Sequence, residues 1–239
     1  MHNIDSFFSK KELYIAQFVN GTNIADSISK RGERTFPHEN LNLIKDFDFT
    51  ETNGFPILKP YNGAIDYDFV PYTERKKYGG NQHAIHFFLY DCCFSGLWKK
   101  LDTRTYEMRD YELLLTPDYS LGVDVPDFCN KRHLYMTRFV GAYWQQCGYN
   151  VLPTVSWGNV DSFRYCFEGL PEQSLLAVSG MGHHKSRAHK MLWQEALREL
   201  EKQKKPTAIL VYGDEESVPN LQTPLLFIQS FISKKFRHE

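Results

Sequence analysis

Short, nearly continuous apolar runs recur from residue 54 onward and predict β-strands. Ala84–Asp91 (AIHFFLYD) is the clearest, because a strand covered on both faces has no polar face to alternate with. Four further runs share this character: Tyr111–Thr116, Val151–Trp157, Leu175–Ser179 and Ala208–Tyr212. Weaker strand candidates are Phe55–Tyr61, Phe69–Tyr72 and Leu225–Phe231.

Three stretches repeat apolar residues at the three- and four-residue spacing of an α-helix. The first is Leu134–Gly148, which closes on a glycine suited to a helix end. A shorter helix is predicted between Asn159, a candidate N-cap, and Gly169. The third is Ala188–Lys204, which Pro206 stops.

Strands that alternate with helices through short connections indicate βαβ units with right-handed crossovers. The predicted fold class is therefore α/β, with a mainly parallel β-sheet and flanking helices. Helices are missing from the early half of the pattern, so an open doubly wound sheet and an incomplete barrel both remain open. Residues 1–53 are polar and weakly periodic, which predicts a partly irregular N-terminal arm before a single α/β domain over residues 54–239.

Composition excludes several classes of protein. Hydrophobic residues make up 42% and charged residues 24% of the chain, as in ordinary globular proteins, and a net charge of -1 gives no global attraction to nucleic acid or anionic membranes. No apolar run approaches the roughly 20 residues that span a bilayer, and the N-terminus lacks the order of a signal peptide. Five cysteines without a C-x-x-C pair fit a reducing compartment. We therefore expect a cytoplasmic protein without a membrane partner.

Acidic side chains follow the predicted strands, at the edge where parallel strands all end. Loops there carry function in α/β proteins because the strands fix them while their side chains stay accessible. Asp91, Asp118 and Asp161 lie at this edge, and with His183 they are the candidate catalytic acids and bases. Asp91 or Asp118 also suits a divalent ion such as Mg²⁺ or Mn²⁺. For each acid, a structural role such as capping or turn formation is the alternative.

The segment Ser179–Ser186 (SGMGHHKS) places a glycine-rich turn between a strand and a helix. Backbone N–H groups and a helix N-terminus favour an anion there, and a lysine adds a full positive charge. The candidate ligand-binding residues are Ser179, Gly180, Gly182 and Lys185, with Trp157 and Tyr212, which end two buried strands. Trp157 is suited to stack on a base or a sugar, and packing in the core is the alternative. The turn is neither a Walker A loop nor a full G-x-G-x-x-G, so an ordinary tight turn is the alternative.

The blocks HFFLYD, LLLTPDYSLGVDVP, RFVGAYWQQCGYNVLPTVSWGNVDSFRYCFEGLP, LLAVSGMG and AILVYG occur in this order along the chain. This order resembles the bacterial, archaeal and phage family domain of unknown function 4417, over residues 55–231. The resemblance implies one α/β domain and a phage or mobile-element setting. It supplies no catalytic residues, and residues 1–53 lie outside it.

Three hypotheses of function follow. The first is an enzyme or binding protein for a phosphorylated compound, a nucleotide or a nucleic-acid end, at the carboxyl edge of the sheet. The second is a non-enzymatic interaction protein that occupies a host replication or defence component. The third is a DNA-binding protein of mobile-element replication, which requires local clusters of basic residues.

Overall fold

The computed structural model describes Phe36 and residues 38–181, 186–213 and 218–229. The chain divides into two compact units, residues 1–46 and 47–239. In the described part of the first unit, Leu41–Leu43 forms a 3-10 turn after Asn40, whose backbone is left-handed (φ 53°). Most of residues 1–53 lie outside the described residues, so the separate N-terminal arm stays a prediction.

The described residues of the second unit contain eight strands, all paired in parallel. They form two four-stranded sheets, in the order β1-β2-β3-β4 and β5-β6-β7-β8. The strands are β1 (Asp68–Pro71), β2 (His83–His86), β3 (Leu113–Leu115), β4 (Asn150–Leu152), β5 (Thr154–Val155), β6 (Leu175–Ser179), β7 (Ala208–Tyr212) and β8 (Leu225–Ile228).

Pro153 separates β4 from β5, where the sequence predicts one strand over residues 151–157. Proline has no N–H to give to a neighbouring strand, which interrupts the ladder. Its carbonyl still accepts a hydrogen bond from the N–H of Ala177 (2.9 Å), so the chain passes directly from the first sheet into the second.

The strands follow one another across each sheet in the order in which they occur along the chain. A doubly wound sheet would reverse its order at a switch point. One buried cluster contains side chains from both sheets, including Phe69 of β1, Leu113 of β3, Ala177 of β6 and Leu210 of β7. The described residues show no pairing between β1 and β8. The parallel α/β fold is therefore confirmed, in the form of an incomplete α/β barrel with this cluster inside.

Four α-helices occur in the described residues: α1 (Ser95–Lys99), α2 (Leu101–Tyr106), α3 (Asp127–Gln146) and α4 (Arg187–Lys204). The long helix α3 begins at Asp127, earlier than the predicted Leu134, because its first turns are largely polar and exposed and so lack the apolar spacing. It ends before Gly148, which takes the expected positive φ (+89°). The helix α4 agrees with its prediction, and the Ser186 side chain caps it by accepting from the N–H of His189 (3.2 Å).

Two predicted elements take other forms. The segment after Asn159 is a 3-10 helix, Val160–Arg164, although Asn159 caps it as predicted by accepting from the N–H of Ser162 (3.1 Å). Residues 55–61 do not form a strand of either sheet, and their one bridge joins Pro56 to Phe49. The two prolines of this stretch cannot donate to a ladder, which explains the difference.

Arg138 fixes α3 against the end of the sheet. Its guanidinium is fully buried and donates to the backbone carbonyls of Thr154 (3.3 Å), Cys166 (2.9 Å) and Glu168 (3.1 Å). Burial lowers the pKa of Arg138 to about 10, so the side chain remains charged at neutral pH. One side chain of the helix thereby satisfies a carbonyl of β5 and two carbonyls of the turns that follow the 3-10 helix Val160–Arg164.

Candidate active site

Three polar side chains lie where successive strands of the barrel end. Asp91 opens the 3-10 helix Asp91–Cys93 after β2, Asp118 follows β3, and Ser156 directly follows β5. The charge of Asp91 and the hydroxyl of Ser156 both act on the carboxyl of Asp118, so the three groups are close together. The carboxyl edge therefore carries these three groups side by side.

A pair of buried threonines sets the register between Asp118 and Ser156. Thr116 Oγ1 lies 2.7 Å from Thr154 Oγ1 and accepts from the N–H of Thr154 at 2.8 Å. Asp118 and Ser156 each follow a member of this pair by two residues. The threonine pair thus keeps β3 and β5 aligned although Pro153 interrupts the ladder.

Asp91 is held by the backbone and side chain of Ser120. The N–H of Ser120 donates to both carboxylate oxygens (3.2 Å each), and its hydroxyl donates to Oδ1 (2.9 Å). His133 of α3 places its Nδ1 4.0 Å from Oδ2 of Asp91 and 2.6 Å from the carbonyl oxygen of Ser120. With a side chain that is 32% exposed, Asp91 is oriented by these donors and still accessible.

Asp118 is the most perturbed acid of the site. Burial raises the pKa of Asp118 to about 7, and the charge of Asp91 acts in the same direction. The hydroxyl of Ser156 lies close enough to act in the opposite direction, yet it does not reach hydrogen-bonding geometry. Oδ1 of Asp118 and Oγ of Ser156 are both enclosed and have no partner among the described residues. The residue as a whole is half-buried, but this carboxylate oxygen has no access to solvent.

Tyr119 adds a hydroxyl to the same region. Its ring packs between Phe94 (5.1 Å between centroids) and His133 (5.7 Å). Burial, and after it the charge of Asp91, raises the pKa of Tyr119 well above its ordinary value. The hydroxyl is enclosed, has no partner in the part of the chain that the structure describes, and stays protonated, so it can donate a hydrogen bond beside the acids.

Enclosed polar atoms without a hydrogen-bond partner are rare in folded proteins, and each one needs an explanation. The described residues contain five such side-chain atoms, and three of them belong to Asp118, Tyr119 and Ser156. Their concentration at one edge of the barrel is typical of a site shaped for a polar ligand. The other two belong to His86 and Arg104.

The remaining predicted site residues have different surroundings. Asp161 is exposed in the first turn of its 3-10 helix, and Trp157 packs against the cluster between the sheet and the helices α3 and α4. Ser179 accepts from the N–H of Met181 (3.2 Å) through Oγ, and the N–H of Gly180 donates to the carbonyl of Tyr212 (2.8 Å).

Tyr212 is 3% exposed and stacks on Phe88 (4.9 Å between centroids), inside the barrel. Gly182, His183 and Lys185 lie outside the described residues. The functional roles assigned to all these residues from the sequence stay predictions.

Two neighbours of the acids escaped the sequence analysis. Ser120 follows Asp118 within the block LLLTPDYSLGVDVP, where no local pattern marks it as a neighbour of Asp91. His133 falls just before the predicted start of α3 at Leu134, so it was not placed on a helix that faces the site. Pro126 followed by the acidic Asp127 is the signal of a helix start that would have placed His133 on α3.

The described residues do not supply a set of ligands for the divalent ion that the sequence suggests. In the ranges that the structure describes, no group of three or more His, Cys, Asp or Glu side chains is arranged to hold a metal ion. Asp91 and Asp118 supply carboxylates from two loops, and Ser120 already occupies both oxygens of Asp91. A role for Mg²⁺ or Mn²⁺ stays a hypothesis.

No helix in the described part of the chain is long and apolar enough to cross a membrane.

The fold and site define a parallel α/β protein with paired carboxyl groups at the carboxyl edge of an incomplete barrel. The family model "Domain of unknown function (DUF4417)" matches residues 47–229, and the chain belongs to this family. It is similar to the Gene 1 protein of Mycobacterium phage L5, with 32% identity over 192 residues, covering 77% of this chain and 81% of the relative. The Gene 1 protein of Mycobacterium phage D29 is 36% identical over 191 residues, covering 76% and 70%. No solved structure matches the chain.

Proposed function

We propose that this phage-related protein is an enzyme that binds a phosphorylated compound at the carboxyl edge and transfers a proton through Asp118. The single observation that carries the proposal is Oδ1 of Asp118, which is enclosed near Asp91 without a partner among the described residues. Burial raises the pKa of this carboxyl to about 7. A group with such a pKa gives up and takes back a proton readily near neutral pH, which is the property of a general acid or base.

The two acids have different surroundings, which suit them to different roles in the reaction. Asp91 accepts three hydrogen bonds from Ser120 and acts as an oriented acceptor. Asp118 is enclosed and retains its proton to a higher pH than an ordinary carboxyl. Two carboxyl groups in different environments are a recurrent basis for separate acid and base roles.

Hydrolysis of a phosphoester is the concrete reaction. A water oxygen bonds to phosphorus, the bond between phosphorus and the leaving oxygen breaks, and Asp118 supplies the proton that this oxygen takes up. The proton released by the water returns the carboxyl to its starting state. The enclosed hydroxyls of Tyr119 and Ser156 are placed to donate hydrogen bonds to the same ligand.

The phosphate itself is expected on the β6 side of the edge, away from the acids. Here α4 begins at its Ser186 cap, and Arg187 and Lys190 are exposed in its first turn, which contains no acidic residue. The N-terminus of a helix and nearby cations favour an anion. The pairing of Val155 with Val178 makes β5 and β6 neighbours, so a ligand of a few ångströms spans both ends.

Isothermal calorimetry with inorganic phosphate, ribose 5-phosphate and the nucleoside 5′-monophosphates tests the proposal, together with turnover of phosphodiesters and phosphomonoesters. We expect binding or turnover that follows the titration of a group with a pKa near 7 and that is lost in Asp118→Asn. Asp124→Asn is the matched control, because Asp124 is an exposed acid in the loop after Asp118. Absence of binding to every probe by the wild-type protein would refute the proposal.

A second candidate function is binding of a host protein, and the exposed apolar side chains at the same edge favour it. Val123 is 60% exposed, Phe128 73% and Val160 61%. The segments that carry Val123 and Val160 are close together, since a Cβ added to Gly158 would lie 3.2 Å from the carbonyl oxygen of Gly122, and Phe128 lies in the first turn of α3. Phe128→Ser should abolish a purified 1:1 host complex if this function holds, and it should leave ligand turnover intact if the first function holds.

DNA binding receives less support from the described residues. The basic residues Arg198 and Lys202 of α4 pair with Glu195 and Glu199 of the same helix, at 3.2 and 3.3 Å. These pairs reduce the positive potential that contact with phosphates requires. The basic segment 234–237 lies outside the described residues. DNA binding therefore stays a prediction from the sequence.

A further inference from the structure

His86 is a buried polar residue that the proposed reaction does not use. It ends β2, is 0% exposed and packs its ring against Tyr212 of β7 (4.4 Å between centroids) and against Phe88 (5.8 Å). Because β2 and β7 belong to different sheets, this contact crosses the interior of the barrel. His86 therefore lies inside the barrel near the carboxyl edge, with Phe88 two residues closer to that edge.

The hydrogen bonds of His86 assign its tautomer. Nδ1 accepts from the N–H of Phe88 (3.3 Å), so the ring proton is on Nε2. Nε2 is enclosed and has no partner in the described residues. Burial lowers the pKa of His86 to about 3, which keeps the ring neutral. Among the described residues, this neutral N–H donor of the barrel interior has nothing to receive its hydrogen bond.

Such a donor destabilises a fold, since it loses its hydrogen bond to water and gains none in return. The surrounding rings would accept a phenyl group without this penalty. Ser179 points to the same interior, because it continues the alternation of the buried Leu175 and Ala177 and pairs with Tyr212 in register. Ser179 is only half-buried, so this part of the interior is near solvent.

We propose that His86 is a binding residue of the site at the carboxyl edge and donates its Nε2 hydrogen to an uncharged carbonyl or hydroxyl oxygen of the ligand. The inference rests on the proposed function and narrows its substrate class to phosphorylated compounds with such an oxygen. The acceptor is uncharged because the rings of Tyr212 and Phe88 and the cluster around them are apolar, and a buried anion there would be costly. The phosphate group stays on the α4 side.

The test compares His86→Phe and His86→Gln in the full chain, with His83→Gln as the matched control. His83 begins the same strand, and its Nδ1 contacts the carbonyl of Gly79 (3.0 Å) near the surface. The probes are inorganic phosphate, ribose 5-phosphate and the nucleoside 5′-monophosphates, and thermal melting shows that each variant is folded.

We expect His86→Phe to melt at or above the wild-type temperature and to lose at least about tenfold in affinity for the organic phosphates. Binding of inorganic phosphate should be unchanged, and His86→Gln should retain part of the affinity through its amide donor. Wild-type affinity of His86→Phe for every organic phosphate would overturn this inference alone, provided that Asp118→Asn is impaired. Absence of binding by the wild-type protein would overturn the proposed function and this inference with it.

Discussion

Replacing Asp118 with asparagine should make the protein more stable at alkaline pH. The rise in the pKa of Asp118 from 3.8 to about 7 corresponds to about 4 kcal/mol of free energy. The folded state binds the proton more tightly than the unfolded state, so the stability due to this group is fully present below pH 4. It is lost as pH rises through about 7. Asparagine cannot ionise and does not suffer this loss.

Urea denaturation of the wild-type protein and Asp118→Asn, from pH 4 to pH 8.5, measures the effect. We expect the difference in unfolding free energy to favour the variant increasingly with pH, and to reach up to about 4 kcal/mol at the alkaline end. Asp124→Asn, which alters an exposed acid of the same loop, should show no such trend. A difference between the wild-type protein and Asp118→Asn that is constant across pH would refute the assignment of a buried, strongly perturbed carboxyl.

Three further substitutions test the surroundings of this acid. Asp91→Asn removes a like charge, so the pKa of Asp118 should fall. The unfolding free energy of this variant should then decline at a lower pH than that of the wild-type protein. Arg138→Met leaves three backbone carbonyls without a donor and should lower the unfolding free energy by about 3 kcal/mol in urea titrations. Gly141→Ala places a Cβ 2.6 Å from a methyl group of Thr116, between α3 and β3, and should destabilise the protein by about 1 to 3 kcal/mol.

Each of these substitutions has its own control and its own contrary result. An unchanged titration in Asp91→Asn would show that the two acids are not coupled. Lys131→Met, which alters a cation of the same helix that lies over the Tyr165 ring (5.1 Å to the centroid), should be much milder than Arg138→Met. Gly96→Ala meets its nearest atom only at 4.0 Å, within α1, and should not destabilise. Equal losses in the two glycine variants would contradict the close approach of α3 to β3.

The parts of the fold that the sequence predicts best are those buried on both faces. The strands β6 and β7 have the predicted bounds because every residue is apolar or sits at a strand end. The short helices α1 and α2 have five and six residues, too few for the apolar spacing to appear. The irregular segment that begins at Phe55 is apolar for another reason: Phe55 and Leu58 are buried against neighbouring elements without joining a sheet.

The same contrast applies to the site, where some residues can be predicted from the sequence and others cannot. Asp91 and Asp118 can be predicted as site residues from the sequence because both follow apolar strands. The enclosure of Asp118 depends on the threonine pair that aligns β3 with β5, and the unpartnered nitrogen of His86 depends on a ring from the far side of the barrel. Both are contacts between residues distant in sequence, and no local pattern of residues encodes them.

The most direct test of an acid–base site at the carboxyl edge is the titration of Asp118 itself. Carboxyl ¹³C chemical shifts of the aspartates, assigned by comparison with Asp118→Asn, report its protonation at each pH. We predict a midpoint near 7 that moves when a saturating nucleoside 5′-monophosphate or ribose 5-phosphate is added. A midpoint near that of an ordinary aspartate, about 4, unaffected by any of these compounds, would contradict the account.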